Sequence, residues 1–144
     1  IGQQKLADNT ALIEHYHQSN GGRITCRYGP QAVDMCSVEL LREIKNLADQ
    51  KNVLINMHVT QSKEEIVQCK LRTGKRPVAL LEELGYLNSH LLAAHMTNAE
   101  LWEVEQVARS GAALCLCSNS IATCTGIFKF WWKSGFGNRS SSWQ

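Results

Sequence analysis

Apolar positions recur along this chain with two different periods, and the switching between them predicts its elements. Residues 5–18 carry Leu6, Leu12, Ile13 and Tyr16 close to a helical period, and Ser19-Asn20-Gly21-Gly22 stops the pattern. Arg23-Ile24-Thr25-Cys26-Arg27-Tyr28 reads as a strand broken by Gly29-Pro30, with a loop over 30–37. From Ser37, a hydroxyl N-cap, the apolar set Val38, Leu40, Leu41, Ile44, Leu47 and Ala48 is helical again, with Glu39 in its first turn.

Val53-Leu54-Ile55-Asn56-Met57 is short, aliphatic and bounded by polar clusters, which predicts a buried strand ending at His58. Thr60-Gln61-Ser62 followed by Glu64 and Glu65 predicts the capped entry of a short helix over 64–72, closed by Gly74. Residues 77–85 predict another, with Pro77 at its first position and Gly85 as its stop. Leu91-Leu92-Ala93-Ala94-His95 repeats the earlier motif, an apolar run ending in His, and Thr97-Asn98-Ala99-Glu100 predicts a capped helix over 99–109 halted by Gly111. A strand over 112–117 follows.

Strands alternating with helices through short connections predict parallel β/α winding, because parallel neighbours need a crossover. About four strands are expected, which fits an open sheet covered on both faces or an arc of an eight-stranded barrel, and periodicity does not choose. Either way, His58 and His95 sit at the C-terminal mouths of strands, where such folds place chemistry. One His beside an apolar strand is more commonly a hydrogen-bonded structural residue. Two in successive units are expected to face one mouth.

Composition narrows the partners. The 144 residues carry a net charge of +2 with acids and bases interspersed, so a nucleic-acid partner is not expected. No apolar run approaches the ~20 residues needed to span a bilayer, and no membrane partner is expected. The start, Ile-Gly-Gln-Gln-Lys, has no signal-peptide pattern and no initiator Met, which points to a chain cut from something longer. The six cysteines, Cys26, Cys36, Cys69, Cys115, Cys117 and Cys124, contain no C-x-x-C pair and are expected to be reduced thiols of a cytoplasmic protein. His15 and His17 fall on or near the first helix and read as surface residues.

Together, several segments resemble the amidohydrolase superfamily. They are His58-Val59-Thr60-Gln61-Ser62, Gly74-Lys75-Arg76-Pro77-Val78 before Leu84-Gly85, Ala93-Ala94-His95, the strand end Gly111…Cys117-Ser118-Asn119-Ser120, and Tyr28-Gly29-Pro30…Asp34-Met35-Cys36-Ser37. The likeness covers residues 6–127 and is nearest to the aminohydrolase and chlorohydrolase branch, which includes S-adenosylhomocysteine/5′-methylthioadenosine deaminase and the triazine hydrolases. It implies a partial (β/α)8 TIM-like barrel, with residues 1–127 the central part of the barrel domain. It also implies one divalent metal ion, zinc or iron, activating water to remove an amino group or chloride from a small heteroaromatic substrate. By position His58 matches the fifth-strand metal ligand and His95 the sixth-strand His that orients hydroxide and substrate. A homo-oligomeric parent is compatible with the likeness.

Three departures qualify it. The family's proton shuttle, a Glu three residues after the fifth-strand His, is here Gln61, and an amide hydrogen-bonds but does not shuttle protons. No His-x-His ligand pair precedes His58. His15-Tyr16-His17 has the letters, but in a helix positions i and i+2 point about 200° apart, so the remaining ligands are expected in sequence this chain lacks. Lastly, residues 128–144 abandon the pattern. Reading the codons for Phe136 to Gln144 one nucleotide later permits Leu-Gly-Thr-Asp-Gln-Ala-Pro-Gly, like the eighth-strand segment with the family's metal Asp, so the tail is expected to be frameshifted and the chain alone inactive. Two other readings stand beside this one: a two-metal amidohydrolase of cyclic amides, disfavoured by the absence of Lys from 23–28, and a non-catalytic α/β interaction domain.

Overall fold

A computed structural model describes residues 1–117; the tail over 128–144, and with it the frameshift expectation and Cys124, lies outside the described residues. The chain opens with α1 (Gly2–Tyr16) and a single helical turn, α2 (Ser19–Gly22). In that turn Asn20 and Gly21 have φ of 52° and 68°, so the polar stop predicted after α1 is a left-handed reversal. Next come α3 (Val38–Lys51), β1 (Ile55–Val59), α4 (Lys63–Thr73), α5 (Pro77–Glu83), β2 (Leu91–His95), α6 (Leu101–Ser110) and β3 (Ala113–Cys115).

The three strands form a parallel sheet in the order β1-β2-β3. Each crossover is helical, α4 and α5 between β1 and β2 and α6 between β2 and β3, as parallel pairing requires. The caps act as their chemistry predicts: Ser37 Oγ accepts from Leu40 N and Ser62 Oγ from Glu65 N, and α5 begins on Pro77. Gly74 (φ 72°) closes α4.

The strand expected first in the chain, over 23–28, differs from expectation. Arg23, Ile24 and Thr25 are exposed and outside the sheet, and the chain meets β1 only at two isolated parallel bridges, Tyr28 with Ile55 and Ala32 with His58. Tyr28 donates to Leu54 O and accepts from Asn56 N, and Gln31 O accepts from His58 N. Residues 28–32 on this side oppose 55–58 on β1, one residue more than the partner, and Pro30 between the bridges has no N–H to give. The strand-like segment is therefore 28–32, interrupted, rather than 23–28.

The first residue of α6 is also later than Thr97 suggested. Glu100 is its N-cap, in a reciprocal capping box with Glu103, and the Thr97 hydroxyl turns instead to Gln61 O.

The core lies between the sheet and its helices. Ile55, Met57 and Val59 of β1 are buried on one face, while Asn56 is exposed and His58 half-buried on the other. Leu41 and Ile44 of α3, Val78 and Leu81 of α5, and Val104 and Val107 of α6 complete the buried layer. Each aliphatic side chain so buried stabilises the fold by about 1.5–3 kcal/mol. Tyr86 is buried among them and satisfies its hydroxyl by donating to Leu41 O at 2.7 Å. The five described cysteines are free thiols, as expected. Among the described residues no helix is long and apolar enough to cross a membrane.

Candidate active site

The parallel register alone would separate the two strand-end histidines. His58 lies in the row of Ala94, and His95 in the row of Val59, whose side chain is buried in the helical layer. Strict pleat alternation would send His95 the same way as Val59. It does not go there: the rings of His58 and His95 stack with centroids 4.9 Å apart and planes at 25°. The cause is in the main chain. His95 has φ 76°, roughly half a turn from the about −120° of a parallel strand, and rotation about N–Cα carries Cβ to the opposite side.

Thr60 (φ 48°) and Met96 (φ 52°) are also left-handed, so both strands leave the sheet through conformations costly to residues with a Cβ. Such strain persists only where the surroundings over-determine it, and here a web of hydrogen bonds does so. Met96 N donates to Val59 O at 3.0 Å and Asn98 N to Thr60 O at 2.9 Å. Gln61 O accepts from Thr97 Oγ1 at 2.8 Å and Asn98 Nδ2 at 2.9 Å. The loops following the two histidines are thereby laced together.

Two carboxylates anchor the lacing from below. Glu65, 1 % exposed, receives Thr60 N at 2.9 Å and Gln61 N at 2.8 Å, one on each oxygen. Burial pushes its carboxyl up to about 7, opposed by those two amides and assisted by the charge of Asp34. Glu103, fully buried, binds Arg76 Nη2 at 2.7 Å and the Glu100 amide at 2.8 Å, while the same Arg76 nitrogen reaches Asn98 O at 3.1 Å.

At the mouth itself, His58 Nδ1 is buried with no hydrogen-bond partner among the described residues. Burial, then the neighbouring His58, hold His95 below the usual imidazole pKa. Cys117 Sγ lies 4.0 Å from His95 Nε2. Gln61 stands at the same strand end with its side chain exposed, and no hydrogen bond joins that side chain to either imidazole among the described residues. His15 is exposed, whereas His17 is half-buried and its Nδ1 accepts the Cys26 amide, a structural role rather than a surface one.

The sequence reading did not single out Glu65 as more than a first-turn acid, although Ser62-x-x-Glu65 is a capping-box spacing. Cys117 was read only as a reduced thiol, and its nearness to His95 depends on β3 lying beside β2.

A geometry of paired imidazoles at the C-terminal ends of neighbouring parallel strands can be compared with known proteins. The model described as "Amidohydrolase family" matches residues 2–132. The chain belongs to that family. Curated relatives of this amidohydrolase chain include the 5-methylthioadenosine/S-adenosylhomocysteine deaminase of Desulfitobacterium hafniense (strain DSM 10664 / DCB-2). It is 42% identical over 94 residues, 65% of this chain and 22% of that protein. The 5′-deoxyadenosine deaminase of Methanopyrus kandleri is 38% identical over the same shares of each chain.

Among solved structures, an adenosine deaminase from Xanthomonas campestris with bound zinc superposes with a TM-score of 0.71 at 25% identity, covering 78% of this amidohydrolase chain and 25% of that one. The atrazine chlorohydrolase of Arthrobacter aurescens TC1, complexed with zinc, gives 0.71 at 21%, over 79% of this chain and 25% of its own, a likeness of fold. The α/β winding is therefore part of a (β/α)8 barrel, and the chain spans about a quarter of the length of the curated relatives it matches.

Proposed function

We propose that this chain supplies part of the catalytic mouth of a metal-dependent hydrolase acting on carbon–nitrogen bonds other than peptide bonds, one that removes an amino group or a halide from a heteroaromatic ring. The observation that carries the reading is the stacked pair His58 and His95 at adjacent parallel strand ends, 4.9 Å apart. Relatives named as deaminases of adenosine derivatives, and neighbours crystallised with zinc, support the same substrate class and a divalent ion.

The donors present fit part of such an ion's site. Imidazole suits zinc and iron, and His58 Nδ1 is buried with no hydrogen-bond partner among the described residues. Among the described residues no group of three His, Cys, Asp or Glu gathers as a metal site, so His58 is assigned as one ligand of a set completed by the longer protein. When bound, a divalent ion supplies hydroxide at neutral pH by lowering the pKa of water towards about 7.

The chain's own residues do the rest. His95, held below the ordinary imidazole pKa, is neutral near pH 7 and accepts a hydrogen bond or proton from the attacking water while facing the substrate. Gln61 binds water or ring nitrogens through its amide but relays no proton. A leaving group that departs without a proton, such as chloride, suits Gln61 directly; loss of ammonia needs the proton from another group.

Expression of the parent protein from the gene with its flanking DNA tests this. One divalent ion per chain is expected by elemental analysis, falling at least tenfold in His58→Ala together with hydrolysis of a 6-aminopurine nucleoside or a chlorotriazine. Hydrolysis by ion-free protein, or full metal content in His58→Ala, overturns it.

A further inference from the structure

We infer that Glu65 is a positioning residue for the histidine pair: its carboxylate locks the main chain just beyond His58, and through that chain the loop beyond His95. The importance of the pair to catalysis rests on the function proposed above; the positioning does not.

Three observations carry it. First, both carboxylate oxygens are spent on the Thr60 and Gln61 amides, at 2.9 and 2.8 Å, in a residue 1 % exposed. An ordinary N-terminal helix acid is solvated and stabilises its helix by charge alone; this one faces out of α4, back to the strand end. Second, the residue it grips first is Thr60, buried and left-handed at φ 48°. Left-handed backbone is costly for a β-branched residue and needs a partner to hold it.

Third, the carbonyls of the same two residues face the other histidine's loop. Thr60 O accepts from Asn98 N and Gln61 O from Asn98 Nδ2 and Thr97 Oγ1. The peptide unit joining Thr60 to Gln61, gripped by Glu65 through Gln61 N, thus holds Asn98 N through Thr60 O on its other side, three residues past His95. With His95 and Met96 themselves left-handed, the direction of the His95 ring depends on where that loop is held.

A plain helix-capping role for Glu65 is the alternative, and Ser62 separates the two. Ser62 Oγ caps α4 by accepting from Glu65 N at 3.1 Å and takes no part in the bonds to Thr60 and Gln61. The experiment is solution NMR on the isotope-labelled full chain, reading the nuclear Overhauser contact between the His58 and His95 rings and the exchange of the Thr60 and Gln61 amides. In Glu65→Ala the ring contact is expected to fall at least threefold and both amides to exchange at least tenfold faster, while Ser62→Ala leaves both readouts near wild type.

Glu65→Gln keeps shape and one acceptor oxygen, so one of the two amides is expected to lose protection; it decides the matter if Glu65→Ala does not fold. An unchanged ring contact with both amides still protected in the Glu65 variants, or equal loss in Ser62→Ala, overturns the inference. An ion-free parent protein would instead overturn the hydrolase reading and leave these NMR outcomes standing.

Discussion

Under the function proposed above, Gln61 is the side chain that divides reactions on a shared scaffold. An amide and a carboxyl of the same length make similar contacts, but only the carboxyl carries a proton to a departing amine. Gln61→Glu in the parent protein is expected to raise kcat/KM for ring deamination by about 10²- to 10⁴-fold, the usual worth of a positioned acid–base group, with little change for loss of chloride. Steady-state kinetics on the two leaving groups checks this, and equal effects on both would count against it.

Glu65 gives a pH signature. Its native carboxyl sits at about 7 against an ordinary 4.5, so between those values the native chain keeps a proton that the unfolded chain has released. Stability must therefore fall as pH rises through that window, by up to about 3 kcal/mol at 1.36 kcal/mol per unit. His95 acts with the opposite sign, since its lowered pKa removes stability as pH falls below the ordinary 6.5. Denaturant titrations from pH 4 to 8 are expected to show a falling component in the wild type that Glu65→Gln abolishes.

At the scale of elements, what the sequence showed was what depends on near neighbours. Ser37, Ser62, Pro77 and Gly74 each act within a turn of their own position, and each marks the boundary its chemistry predicts. The strand read over 23–28 failed because alternation says nothing of whether a partner lies alongside: Ile24 is 42% exposed, and pairing with β1 begins only at Tyr28. Thr97 looked like a cap, but its hydroxyl donates instead to Gln61 O, 36 residues away.

Gly74 offers a clean local test. At φ 72° with nothing within 4 Å of where a Cβ would stand, Gly74→Ala adds backbone strain and no clash. It is expected to cost about 1 kcal/mol, read as a fall in thermal midpoint of about 2–4 °C.

Over the whole molecule, the sheet is covered unevenly. β3 has β2 on one side and no strand on the other among the described residues, and its Ala113 and Cys115 are exposed. Leu71 and Val67, one turn apart on α4, are 75% and 51% exposed. An open strand edge and exposed apolar side chains each invite association. The chain by itself is expected to self-associate as its concentration rises, seen by light scattering; a concentration-independent monomer with a cooperative high-temperature melt would contradict this.

His58 was legible as a strand-end imidazole, whereas the meeting of His58 with His95 was legible only as an expectation of a common mouth. The register gives the two residues different rows, and a torsion at His95 brings them back together. The side of the sheet that imidazole faces is accordingly set in the peptide backbone. Anyone transplanting this half-site to another parallel sheet would have to carry over the bend at 95–96 along with the histidine, because a histidine grafted onto a straight strand would look into the wrong layer.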